Sequence, residues 1–175
     1  KARNQFYVGD FPSYHGIFSA LFDNRENPQY KTTIEEARDF LKKQFFGYWL
    51  MTLTRIQYKE SGKDKIIHNH GMPDQYEIDA EMTGKDGFIK DPKTNAQSAL
   101  TALLLDNNLQ HTWEVYQWLT GKDAYLWRVN SKQDAERIAR SSAYSVWADL
   151  GCDGIPSYSF RALGVFGCAE GTREK

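Results

Sequence analysis

Ala96, Ala99, Leu100, Leu103 and Leu104 recur at intervals of three and four residues, the spacing that lines one face of an α-helix with apolar side chains. A strand would scatter them over both of its faces. The chain therefore has to pack at least one helix, which rules out an all-β barrel or sandwich. A second helix is expected over residues 33–46: Thr33 to Glu36 has the pattern of a capping box, Ile34, Ala37, Phe40, Leu41 and Phe45 follow at helical spacing, and Gly47 ends the run. Leu109, Trp113, Tyr116 and Leu119 suggest another. Between these lie extended segments. Residues 48–58 are rich in aromatic and β-branched types, the Ser61-Gly62-Lys63-Asp64 cluster separates them from residues 65–70 as a hairpin would, and residues 76–82 and 124–129 read as further strands. The first thirty residues, punctuated by Gly9, Pro12, Gly16 and Pro28, read as an opening strand followed by a packed, irregular arm, and Ser131 with Asp134 as the cap of a short helix through Ile138 and Ala139. The expected class is α+β, helices on a mostly antiparallel sheet.

A chain of 175 residues is expected to form a single domain with an adequate core of its own. Its 22 basic and 23 acidic side chains leave a net charge of -1, so no polycationic surface marks a nucleic-acid partner. The longest apolar runs, residues 45–53 and 99–105, are much shorter than the roughly 20 residues a bilayer span needs. Membrane insertion is not expected, and Lys1 is not followed by a signal-like apolar segment. Cys152 and Cys168 either pair or remain thiols.

Residues 141–169 stand apart. The segment mixes aromatics with Ser, Gly, Asp and Ala and holds no Lys, Glu, Gln or Met, although 26% of the whole chain is charged. Rigid rings interleaved with short polar groups are the composition of binding loops, because rings supply contact area at low entropic cost. Glycines and prolines interrupt any regular period after Arg140, so an irregular C-terminal loop region is expected, held by the elements before it.

Within that segment Ser145, Trp147, Ala148, Leu150, Cys152, Pro156, Ser157, Ser159, Ala162, Leu163, Gly164 and Val165 form a frame that resembles the variable region of diversity-generating retroelement proteins. That resemblance implies a C-type lectin-like fold over residues 1–175, with 141–168 as a hypervariable ligand-binding region. In the family, mutable codons take the form NNC, which cannot encode Lys, Glu, Gln, Met or Trp. Tyr144, Val146, Asp149, Gly151, Asp153, Gly154, Ile155, Tyr158, Phe160 and Arg161 stand between the fixed residues, and every one of those types has an NNC codon. The resemblance implies that these residues face solvent and bind a protein or cell-surface ligand, dominated by Tyr144, Tyr158, Phe160 and Arg161, while Trp147, Ala148, Leu150, Ala162, Leu163 and Val165 anchor the segment in the core. It implies no enzymatic activity, no cofactor, and a place on a virion or cell surface. The calcium-binding triplets of sugar-binding lectins are not present.

A competing site is a metal centre. His68 and His70 on one strand would project to the same face, and Glu77 or Asp74 would complete three ligands for zinc, iron or manganese. Gly62, His68, His70, Glu77 and Gly84 also look like the first cupin motif with an enlarged gap, but the helix at 96–106 does not suit that barrel. The simpler reading is a half-exposed hairpin bearing ordinary polar groups. His15 and His111 are isolated in the sequence, and no Ser-His-Asp order or Gly-rich phosphate loop is present.

Overall fold

A computed structural model describes residues 6–156, 163–164 and 167–169. It is α+β. Helix α1 (Phe11–Asp23) occupies the segment expected to be an irregular arm. The punctuating residues are its start signals: Asp10 is the N-cap, accepting the Ser13 N–H at 2.9 Å, and Pro12 sits in the first turn. Phe11, Tyr14, Phe18 and Phe22 then form its buried stripe, and Gly16 falls on the exposed face. Helix α2 (Lys31–Gly47) begins earlier than the capping-box pattern implied. Tyr30 is its N-cap without a side-chain hydrogen bond, so Thr33 and Glu36 lie inside the helix. Helices α3 (Gln97–Leu104) and α4 (Leu109–Thr120) match the periodicity; Asn108 caps α4 by accepting the His111 N–H at 3.0 Å, and Gly121, at φ 76°, closes it in the left-handed region.

The strands are β1 (Phe6–Val8), β2 (Trp49–Tyr58), β3 (Asp64–His68), β4 (Tyr76–Ala80), β5 (Gly87–Phe88), β6 (Ala124–Trp127), β7 (Ala135–Ala143), β8 (Ala148–Gly154), β9 (Leu163–Gly164) and β10 (Gly167–Ala169). They form a mixed sheet in the order β4-β3-β2-β7-β8-β6-β5, with β9 added to β2, and a separate β1-β10 pair. The pairs β6-β8 and β2-β9 are parallel and the rest are antiparallel. No described helix is long and apolar enough to cross a membrane.

Two expectations fail at β7 and β8. Residues 131–139 contain no helix: Asp134 accepts the Glu60 N–H at 3.2 Å instead of capping, and residues 135–143 extend between β2 and β8. Tertiary pairing overrides a weak local preference here. Strand β8 lies where an irregular loop was expected, and it is buried along nearly its whole length. Its alternation of Ala148, Leu150 and Cys152 with Asp149, Gly151 and Asp153 is obscured in the sequence by the glycines, which there read as loop residues.

Strand register fixes which side chains share a face. Leu50 pairs with Ser141, Ser141 with Leu150, and Leu150 with Leu126. Leu50, Leu150 and Leu126 belong to the core that continues into the helices, where Phe18 meets Phe45 at 5.4 Å and Tyr116 at 6.2 Å, both edge to face. The alternate positions form the opposite face. There Met51 pairs with Arg140, Arg140 with Gly151, Gly151 with Trp127, Ser142 with Asp149, Asp149 with Tyr125, and Tyr125 with Phe88.

Candidate functional site: an aromatic cleft over a buried ion network

On that second face, Trp127, Arg140, Tyr144, Trp147, Asp149 and Asp153 line a cleft of about 200 Å³. Its walls are rings. Trp147 stacks on Tyr125 at 5.0 Å and 27°, meets Trp127 at 6.1 Å and 59°, and meets Tyr144 edge to face at 6.3 Å. Alternation along β6 sends Ala124 and Leu126 into the core and leaves Tyr125 and Trp127 half-buried on this side. Trp49, at the start of β2, donates its indole N–H to the Tyr144 hydroxyl at 3.1 Å and lies 4.5 Å from the Arg140 guanidinium.

The floor is charged. Arg140 donates through Nη1 to Asp149 Oδ2 and through Nη2 to Asp153 Oδ1 at 3.1 Å. Gly151 makes room for it: a Cβ there would meet Arg140 Cγ and Cζ at 3.0 Å. Burial works against the Arg140 charge, but the two carboxylates outweigh it and hold its pKa above the ordinary value. Asp149 is pushed the other way. Its burial raises the carboxyl pKa to about 6 despite the attraction of Arg140, and the nearby Asp153 charge adds to the rise. Ser142 Oγ reaches Asp149 Oδ2 only at 3.4 Å, and Oδ1 of Asp149 has no hydrogen-bond partner among the described residues. Trp147 Nε1 is likewise buried and unpartnered among them.

The residues named from sequence are placed unevenly. Tyr144 and Val146 are exposed, Val146 at 59%, and Asp153 and Ile155 are partly exposed. Asp149, Gly151 and Gly154 are buried, so outward-facing side chains are not found at those three positions. Gly154 is further constrained, since a Cβ would stand 2.7 Å from the Ile138 carbonyl oxygen. Tyr158, Phe160 and Arg161 lie outside the described residues, as do Ala162 and Val165. Of the expected anchors, Ala148 and Leu150 are in the core, whereas Trp147 is half-buried on the cleft face. Trp49, Tyr125, Trp127 and Arg140 were not singled out from the sequence as site residues. The paired rings at 125 and 127 were a usable signal, being aromatics spaced by two on an expected strand; Trp49 and Arg140 reach the site only through strand register.

The His68, His70 and Glu77 arrangement does not assemble. Strand β3 ends at His68, and Asn69 turns the chain in the left-handed region at φ 50°, so the two histidines do not continue one strand face. His68 is fully buried, with Nδ1 3.0 Å from Thr54 Oγ1 and Nε2 2.9 Å from the Ala102 carbonyl. Glu77 pairs with Lys65 at 2.6 Å, and Asp74 accepts from Asn69 at 3.1 Å. Among the described residues no group of three or more His, Cys, Asp or Glu side chains is placed to hold a metal ion. Cys152 is a buried free thiol. His15 and His111, distant in sequence, are joined through Asp106, whose Oδ2 lies 3.1 Å from His15 Nε2 and 3.4 Å from His111 Nδ1.

Comparison with protein-family models, curated proteins and solved structures gives no match.

Proposed function

We propose that this protein is a non-enzymatic ligand-binding protein, and that the aromatic cleft and the exposed residues beside it form its recognition surface. One observation carries the reading: three segments distant in sequence, Trp49 of β2, β6 and the β7-β8 turn, bring rings together at a cleft floored by Asp149, whose Oδ1 is unpartnered among the described residues. Tyr and Trp dominate binding hot spots, and these rings need little ordering on association. The partner is a protein or a surface polymer.

The frame at residues 145–165 supports a finer form of the proposal, a C-type lectin-like variable protein of a diversity-generating retroelement. Diversification within the described residues then falls on the exposed or partly exposed Tyr144, Val146, Asp153 and Ile155, at small cost to stability at Val146 and Ile155 and at the cost of the Arg140 pair at Asp153. Gly154 is excluded by its contact with the Ile138 carbonyl. Sequencing the DNA beside the gene tests this form. The expected finding is a near-copy of the 3′ coding segment that differs at adenines, next to a reverse-transcriptase gene; flanking DNA with no such copy overturns it.

A further inference from the structure

The chemistry of the cleft restricts what it accepts. Two carboxylates, Asp149 and Asp153, face one guanidinium, Arg140, so the ion network carries a net charge of -1 when both acids are ionised. Its walls are the rings of Trp127, Tyr144 and Trp147, and ring faces present negative quadrupole potential. Asp149 is fully buried, and its Oδ1 has no donor among the described residues. Arg140 is already committed to both acids and lies over the Trp49 ring, which leaves the surplus negative charge without a described counter-ion. A volume of about 200 Å³ is below the roughly 300–1,000 Å³ of sites for drug-sized molecules. It suits one head group or one side chain.

Resting on the ligand-binding reading, we infer that the cleft takes an organic cation, an alkylated ammonium group seated between Trp127, Tyr144 and Trp147 with Asp149 and Asp153 beneath it. Such a group gains from the ring faces and from the carboxylates together, and its methyl groups match the apolar walls. An anion would face the surplus negative charge, and a neutral group of equal shape would forgo both attractions. The same chemistry occurs on a free head group and on a methylated lysine side chain.

Tryptophan-fluorescence titration of the whole chain tests this with tetramethylammonium chloride, tert-butanol as a neutral counterpart of similar shape, and sodium acetate. Saturable binding of tetramethylammonium in the millimolar range, at least about ten-fold tighter than tert-butanol, is expected. Trp147→Ala should abolish it, and Asp153→Asn should weaken it several-fold. Asp153 is partly exposed, so its neutral variant retains the fold, which circular dichroism checks. Choline and a glycine-flanked trimethyl-lysine peptide then separate the two sources; binding of either supports the inference. Equal binding of tert-butanol or acetate, lost in Trp147→Ala, overturns the cation and leaves a cleft that binds something else. No saturable response to any of the three probes also overturns the inference, whereas the retroelement reading is decided separately by the flanking DNA.

Discussion

Asp149 sits between two opposing influences, and replacing it with asparagine measures which one wins. An ion pair with Arg140 would ordinarily hold a carboxylate below its usual pKa. In this protein only Oδ2 is paired, Oδ1 has no partner among the described residues, Asp153 adds like charge, and burial removes water. Desolvation prevails, and the carboxyl moves from 3.8 to about 6. The folded protein therefore binds a proton more tightly than the unfolded chain does. The associated stability is fully present below the unfolded value and is lost as pH rises through about 6. A difference of about two pH units, at about 1.4 kcal/mol each, comes to about 3 kcal/mol.

Urea denaturation of the natural protein and of Asp149→Asn, at several values from about pH 4 to about pH 7, gives the test. Titrating groups remote from the Arg140 network are common to both chains and cancel in the difference. Relative to the variant, the natural protein should lose about 2–2.5 kcal/mol across that range, the remainder of the roughly 3 kcal/mol lying below about pH 4, and most of the loss should come before about pH 6.5. A flat difference would show that burial and Arg140 balance. A difference that grows in favour of the natural protein as pH rises would show that the ion pair dominates, and the account of the cleft floor would be wrong.

Other outcomes follow from the same geometry. Gly154→Ala forces a Cβ to within 2.7 Å of the Ile138 carbonyl oxygen at the β7-β8 pair, and should cost about 1–3 kcal/mol in urea denaturation. Phe18→Ala removes a ring enclosed by Phe45 and Tyr116 and should cost about 3–5 kcal/mol; by contrast, Phe46→Ala, at a residue 42% exposed, should change stability far less. His111 is partly buried, which lowers its pKa, but Asp23 at 3.0 Å and Asp106 together raise it above the ordinary 6.5. Its contribution is present below that value and fades as pH rises through the higher folded pKa, so Asp23→Asn should cost under about 1 kcal/mol near pH 5.5 and less near pH 8.

Helices α2, α3 and α4 were legible because their apolar residues repeat at three and four, and β2 with β3 because Gly62 and its neighbours punctuate a hairpin. Helix α1 was misread from its glycines and proline, although Phe11, Tyr14, Phe18 and Phe22 lie at helical spacing. Little local marks β7 as a strand, and in β8 the two glycines obscure the alternation of Ala148, Leu150 and Cys152 with Asp149 and Asp153. Arg140, Ser141 and Ser142 are extended because β2 and β8 flank them, and the small residues Gly151 and Gly154 are there to admit neighbouring atoms. Composition sets residues 141–169 apart, and two of the cleft's rings, Tyr144 and Trp147, fall in that segment. It did not separate Val146, which is exposed, from Asp149, which is buried beneath the rings. That distinction depends on the β6-β8 register, which sets Asp149 opposite Tyr125, and on Arg140 reaching across Gly151.

Nuclear magnetic resonance of the indole N–H groups locates ligand binding on this protein residue by residue. The chain has five tryptophans: Trp127 and Trp147 line the cleft, Trp49 adjoins it through Tyr144, and Trp113 and Trp118 are on α4, packed against the core. On titration with tetramethylammonium or a trimethyl-lysine peptide, the Trp127 and Trp147 signals should shift saturably, Trp49 less, and the two helical tryptophans not at all. Shifts confined to Trp113 and Trp118, or spread equally over all five, would contradict the assignment of the cleft as the binding site.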